Sequence, residues 1–123
     1  MTPSFWNNKR VLITGHTGFK GSWLSIWLKK LGAEVIGFSN LVPTNPSLYE
    51  LSGINSDIIS VTGDIRDLQT VENIFLQYKP QIVIHMAAQS LVGPSYDDPV
   101  ETYSTNVMGT VNLFEAIRKS NDT

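Results

Sequence analysis

Short apolar runs alternate with longer stretches of helical periodicity along this chain. Val11-Leu12-Ile13 is a compact apolar run closed by a glycine-rich turn, the form of a strand buried on both faces of a parallel sheet. Beyond the turn, Trp23, Leu24, Trp27, Leu28 and Leu31 recur at helical spacing, which places Trp23 and Trp27 in the expected core. Gly32 is the residue that ends this helix. Val35-Ile36-Gly37-Phe38 predicts a second strand, Ile58-Ile59-Ser60-Val61 a third and Ile82-Val83-Ile84 a fourth. Residues 42–53, with Pro43 and Pro46, read as a loop holding one helical turn near 48–51. Asp67 caps a helix that carries Val71, Ile74, Phe75 and Tyr78, and Pro80 stops it. The last helix opens with Asp98 as N-cap, Pro99 at the first position and Glu101 at the capping-box position. Behind them Tyr103, Val107, Val111, Phe114 and Ile117 fall on one stripe.

A strand-helix unit repeated in this way predicts an α/β fold: a parallel sheet covered on both faces, with right-handed crossovers. The expected strand order is 3-2-1-4, the first part of a Rossmann-type doubly wound sheet. A full dinucleotide fold has two mononucleotide halves, so residues 1–123 are expected to be an N-terminal dinucleotide-binding fragment, with further strands and a substrate domain absent. The fourth strand is then left with an open edge.

Composition removes several alternatives. The net charge of -2 offers no basic footprint, so nucleic acid is not expected as a partner. There is no cysteine, hence no disulfide framework, no thiolate nucleophile and no cysteine metal site. His16 and His85 sit on no metal-ligand spacing. No apolar signal core opens the chain and no apolar run could span a bilayer. A cytoplasmic protein with no membrane contact is the expectation.

The chemistry concentrates in Thr14-Gly15-His16-Thr17-Gly18-Phe19-Lys20-Gly21. The spacing Gly15-x-x-Gly18-x-x-Gly21 lies between the first strand and the first long helix. Gly15 suits a tight turn out of the strand, Gly18 lets backbone approach a pyrophosphate, and Gly21 lets the helix pack on the sheet. The helix start then offers amide hydrogens and partial positive charge to the phosphates. A P-loop would need Ser or Thr after a Gly-Lys pair, and here Lys20 precedes Gly21. His16 is expected to face the phosphates, either donating to them or crowding them. Lys20 reads either as a phosphate or ribose contact or as a solvated helix-start lysine.

At the end of the second strand an acidic residue would favour NAD and an arginine NADP. Ser39-Asn40 offers neither, so this position leaves NAD and NADP both open; Ser39 reads equally as a ribose contact or a turn former. Asp64 is expected to accept from an adenine amino group while Ile65 packs on the ring, and Asp67 is assigned to capping alone. Ala87 and Ala88 are small enough for close approach of a cofactor. Gln89 and Ser90 are candidates for the nicotinamide ribose or the substrate. His85 reads as a satisfied core histidine rather than a catalyst. Thr105 and Asn106 on the last helix either point back at the strand ends or face solvent.

The glycine loop, Asp64-Ile65, Ala87-Ala88-Gln89 and Thr105-Asn106-Val107-Met108-Gly109-Thr110 together resemble the extended short-chain dehydrogenase/reductase superfamily, which holds the NAD-dependent epimerases and dehydratases. Phe5-Trp6, the run Phe19-Lys20-Gly21-Ser22-Trp23-Leu24, Pro46-Ser47-Leu48-Tyr49-Glu50 and Asp98-Pro99-Val100-Glu101-Thr102-Tyr103 are most similar to its CDP-glucose 4,6-dehydratase branch. That resemblance runs from Phe5 to about Lys119. It implies a bound NAD, a sugar-nucleotide substrate, and a reaction in which hydride leaves C4 of the sugar, water is lost across C5 and C6, and hydride returns to C6; a sugar-nucleotide epimerase or reductase of the same superfamily, or a non-catalytic dinucleotide-binding module, is the alternative. It also implies that Gly15, His16, Thr17, Gly18, Phe19, Lys20, Gly21 and Ser39 line the cofactor. Asp64 and Ile65 would lie at the adenine, Ala87, Ala88, Gln89 and Thr105 towards the nicotinamide, and Ser90 and Leu91 at the substrate. The helix 98–119 resembles one through which such enzymes form homodimers or larger homo-oligomers. Two departures stand out. The family's Tyr-x-x-x-Lys pair is absent, since Tyr49, Tyr78, Tyr96 and Tyr103 are followed at that offset by Gly53, Ile82, Val100 and Val107. No catalytic residue is therefore expected in residues 1–123, and the fragment alone is expected to be inactive. Gly93-Pro94 stands where relatives often carry a basic residue.

Overall fold

Apolar runs become strands here because both of their faces are covered. In the computed structural model, which describes residues 3–40, 53, 57–88 and 92–120, four strands form one parallel sheet. They are β1 (Arg10–Thr14), β2 (Glu34–Ser39), β3 (Ile59–Thr62) and β4 (Ile82–His85), in the order β3-β2-β1-β4. Leu12 stands opposite both Ile36 and Val83, and Ile36 opposite Ile59. The expected order and parallel pairing hold, with β3 beginning one residue later than its apolar run suggested.

Successive side chains of β1 and β2 feed two separate cores, as the pleat requires. Val11, Ile13 and Val35 pack with Trp6, Leu28 and Ala33 on one face. Leu12, Ile36 and Phe38 pack with Ile65, Val71, Ile74, Phe75, Leu113 and Ala116 on the other. The first face is covered by α1 (Pro3–Trp6), an element the sequence pattern did not announce, and α2 (Phe19–Lys30). The second is covered by α3 (Leu68–Tyr78) and α6 (Gly109–Lys119). Between β4 and α6 run α4 (Val92–Asp97), α5 (Pro99–Tyr103) and a π turn (Ser104–Met108).

The expected punctuation is in place. Asp67 accepts from the amides of Gln69 and Thr70, and Asp98 from that of Glu101 with Pro99 behind it. Gly32 takes φ 90° just past α2, and Pro80 follows the left-handed Lys79 that closes α3. The helical turn expected near 48–51 lies outside the described residues.

Two helix faces are corrected. Trp23 and Trp27 are 55% and 63% exposed, not core. The face that α2 buries is Gly21, Ser22, Ser25 and Leu28. Its first turn lies so close to the preceding loop that a Cβ on Gly21 would stand 2.2 Å from the Gly15 carbonyl oxygen, so bulk must go to the other side. The stripe on the last helix exists, but Tyr103, Val107, Val111 and Phe114 are exposed. The opposite face, Gly109, Asn112, Leu113 and Ala116, is the buried one. The single helix expected over 98–119 is interrupted by the π turn.

Candidate functional site

The strand order reverses at β1, with β2 on one side and β4 on the other, and a crevice at such a switch point is where open α/β sheets bind ligands. The glycine loop stands at the carboxyl end of β1. Gly15 has φ 79°, and a Cβ there would lie 2.7 Å from the carbonyl carbon of Met86. Only glycine meets both demands. Its amide donates to the Phe38 carbonyl at 2.7 Å, tying the bend to β2. Gly21 packs against the bend itself. Gly18 is different: it has φ -73°, and a Cβ would meet only the Gly15 carbonyl oxygen, at 3.4 Å. The fold does not need that side chain to be missing.

Gly18 is also the N-cap of α2, so no side chain caps the helix, and the first turn holds no acidic residue. Phe19 and Lys20 stand exposed on that turn, Phe19 at 70%. A helix start left without a capping side chain beside an open Cβ position is what an anionic group such as a pyrophosphate requires. The loop therefore fits the dinucleotide on the chain's own geometry.

His16 corrects the expectation that its ring faces the phosphates. It is 1% exposed, with Nε2 2.7 Å from Ser60 Oγ. Its ring fills the space beside Gly37, where a Cβ would stand 2.2 Å from His16 Cδ2. Burial pushes its pKa down to about 4, so near neutral pH it is an uncharged spacer between the loop and β2 and β3. Its backbone remains in the loop, where its carbonyl accepts from Ser22 Oγ at 2.9 Å.

Thr17 Oγ1 and Ser39 Oγ are 2.7 Å apart. Ser39 thus braces the loop from the end of β2. Asp64, beyond β3, is held by Arg66 in a paired contact with its shortest arm at 2.6 Å. The Arg66 hydrogen bonds hold the Asp64 carboxyl below its usual pKa. Ile65 corrects a second expectation: it is 5% exposed and packs into the core against Gly109, so its side chain is not laid out for a ring. Its backbone is what the bend presents. A residue missed in the sequence, Asn112, holds that bend. Its Nδ2 donates to the carbonyls of Ile65 at 3.1 Å and Arg66 at 2.9 Å. The signal was available, because Asn112 interrupts an i, i+3, i+4, i+7 face of small and apolar residues.

Beyond β4, Ala87 is partly buried and Ala88 exposed. The backbone of Met86 and Ala87 is what Gly15 turns against. Gln89, Ser90 and Leu91 lie outside the described residues. Thr105 is half-buried in the π turn, and Asn106 accepts from Thr110 Oγ1 at 2.7 Å through its carbonyl. His85 has both ring nitrogens engaged, Nδ1 2.6 Å from Thr14 Oγ1 and Nε2 3.1 Å from Thr110 Oγ1. That agrees with a satisfied histidine, although it is half-buried rather than core. No helix among the described residues is long and apolar enough to cross a membrane.

Comparison with known proteins adds the lineage. The family model described as GDP-mannose 4,6 dehydratase matches residues 12–123. The chain is 55% identical over 116 residues to a CDP-glucose 4,6-dehydratase of Salmonella typhimurium, covering 94% of this chain and 32% of that protein. It is 39% identical over 105 residues to a UDP-glucose 4-epimerase of Halalkalibacterium halodurans, covering 85% of this chain and 30% of that one. Among solved structures, the Thermus thermophilus UDP-glucose 4-epimerase complex with NAD superposes with a TM-score of 0.79 at 35% identity, over 89% of this chain and 34% of that one. The Bifidobacterium longum UDP-glucose 4-epimerase in complex with NAD+ and UDP gives 0.81 at 30% identity, over 93% and 35%. The chain thus spans about a third of the length of the relatives it matches. On the family match, the strand order and the placement of the glycine loop, the chain belongs to the GDP-mannose 4,6 dehydratase family of extended short-chain dehydrogenases/reductases.

Proposed function

We propose that residues 1–123 are the NAD-gripping portion of a longer sugar-nucleotide 4,6-dehydratase whose substrate is CDP-glucose. The observation that carries this is the uncapped start of α2 beside the open Gly18 position, at the point where strand order reverses. The 55% identity to a CDP-glucose 4,6-dehydratase supports the choice of reaction and sugar nucleotide. Solved relatives described as NAD complexes support NAD where Ser39 alone leaves NADP open. Bound NAD supplies a reversible hydride acceptor at C4 of the sugar while water is lost across C5 and C6.

The chain's own part is binding and orientation. The amides of the first turn of α2 receive the pyrophosphate, the Gly18 amide being held by the Gly15 carbonyl at 3.1 Å, and exposed Lys20 adds positive charge beside them. The Thr17–Ser39 pair borders the ribose. Asp64 and the backbone of Ile65 receive the adenine edge. Ala87, Ala88, Gln89 and Thr105 line the path to the nicotinamide, and Ser90 and Leu91 meet the substrate. The acid-base residues, including a Tyr-x-x-x-Lys pair, come from the remainder of the longer chain, and residues 1–123 alone are inactive. The exposed stripe of Tyr103, Val107, Val111 and Phe114 is the surface through which two such chains pair. A cytoplasmic setting accords with a sequence free of cysteine.

A second reading, a sugar-nucleotide epimerase, is favoured by the UDP-glucose 4-epimerases among the relatives. Two measurements test these readings. NAD titrated into this chain by calorimetry should bind, and Gly18→Ala should weaken binding at least tenfold while changing stability by no more than about 1 kcal/mol. Equal affinity in the two proteins would remove the loop from the cofactor site. The longer protein given CDP-glucose should form a 4-keto product lighter by one water. A product of unchanged mass epimerised at one carbon would establish the second reading instead.

A further inference from the structure

A line of hydrogen bonds crosses the carboxyl edge of the sheet from β4 to the last helix. The amides of Met86 and Ala87 donate to Thr14 Oγ1 at 3.0 and 3.1 Å. Thr14 Oγ1 lies 2.6 Å from His85 Nδ1, and His85 Nε2 lies 3.1 Å from Thr110 Oγ1. Thr110 Oγ1 in turn donates to the Asn106 carbonyl at 2.7 Å.

The helix end of this line fixes its direction, and the strand end agrees with it. At the strand end Thr14 Oγ1 accepts from the amide of Ala87 and shares the Met86 amide with the Thr14 backbone carbonyl, which also lies 3.0 Å from Met86 N, so its single proton is directed to His85 Nδ1. A carbonyl can only accept, so the single proton of Thr110 goes to Asn106, and its oxygen must receive a hydrogen from His85 Nε2. The helix end puts the proton on Nε2 and the strand end favours a bare Nδ1, which together make a neutral imidazole. A proton on Nδ1 would add a further donor to Thr14 Oγ1 and leave the Thr14 hydroxyl proton without its His85 acceptor. Burial, which lowers the His85 pKa, acts in the same direction.

The groups at the two ends adjoin the cofactor-lining residues of the function proposed above. Thr14 is the residue before Gly15, and Gly15 turns against the backbone of Met86 and Ala87. Asn106 and its neighbour Thr105 lie in the π turn, an irregular turn of a kind often found at functional sites. We propose that His85 is a positioning residue, a neutral Nε2-protonated imidazole whose one-way hydrogen bonds hold the root of the glycine loop and the π turn of the last helix in a single relative placement. Its effect on cofactor affinity rests on the NAD reading given above; the tautomer and the tether do not.

The test therefore has two arms. Long-range proton-nitrogen NMR on the histidine-labelled chain, without cofactor and near neutral pH, reads the tautomer of His85 directly. The proposal expects a protonated Nε2 and an acceptor Nδ1; a protonated Nδ1, or two protons on the ring, overturns it. Thr110→Val keeps the shape of the side chain but removes the hydroxyl, and Thr110→Ser restores it. Valine should speed amide hydrogen exchange at Met86 and Ala87 and weaken NAD binding about tenfold, with serine returning both to within about threefold. A valine variant with a lowered melting temperature but unchanged exchange at Met86 and Ala87 overturns the tether. Failure of the unaltered chain to bind NAD overturns the cofactor reading, while tautomer and exchange still decide the role of His85.

Discussion

Gly37 and His16 show how one missing side chain fixes the place of another. The imidazole lies where a Cβ of Gly37 would be, 2.2 Å from its Cδ2, and it bridges to Ser60 across the end of the sheet. A methyl group at Gly37 must evict the ring or bend β2, and overpacking of this kind costs about 1–3 kcal/mol. Gly37→Ala should therefore destabilise the chain by at least that much in urea titration. His16→Ala with Gly37→Ala should be more stable than Gly37→Ala alone, because the small residue vacates the slot. Simple addition of the two single effects would show that the ring and Gly37 do not compete for space. The glycine spacing of the loop could be read from residue order because the turn of Gly15 and the close packing of Gly21 on Gly15 lie within one short segment. The fate of His16 could not, since its partners Gly37 and Ser60 belong to other strands.

Among the elements, helix positions were legible and helix faces were less so. The caps Asp67 and Asp98 act within their own first turns, so neighbouring residues suffice to predict them. The buried face of α2 is small and polar because its first turn closes against the loop, and hydrophobic periodicity misassigns a face on which size rather than polarity decides. In α6 the same difficulty hid Asn112, whose amide satisfies two carbonyls of the bend after β3. Asn112→Leu preserves bulk but leaves both carbonyls without that donor. A loss of about 1–3 kcal/mol is expected, together with NMR shifts at Ile65 and Arg66. Stability and shifts equal to those of the unaltered chain would show the bend to be self-supporting. The interruption of the last helix by a π turn had no local herald, because 103–110 read as continuous helix.

Over the whole molecule the two histidines act together on pH dependence. Each has a folded pKa lowered by burial, His16 from 6.5 to about 4. Their neutral forms are thus favoured by the fold, and the stability they contribute is complete above the unfolded value of 6.5. It is lost as pH falls from there towards about 4, where His16 itself protonates. For His16 the slope reaches about 1.4 kcal/mol per pH unit within that window. Urea midpoints measured from neutral pH down to about 4 should fall, and His16→Ala should flatten the curve. A flat profile in the unaltered chain would mean that His16 is open to solvent. The Asp64–Arg66 pair moves stability only at lower pH, where the lowered Asp64 carboxyl gains its proton.

By itself the sequence determined the alternation of strand and helix, the order 3-2-1-4, the helix caps and a glycine bend suited to a pyrophosphate. The elements, caps and bend follow from turn chemistry and periodicity acting over a few residues, and the order from the doubly wound topology to which a strand, glycine-rich turn and helix belong. Only the tertiary structure decided that the tryptophans of α2 face outward, that His16 and Ile65 are buried rather than offered to a ligand, and that Thr14, His85 and Thr110 form one line. These outcomes depend on residues brought together from distant parts of the chain, where the space left by one element sets what its neighbour can bury.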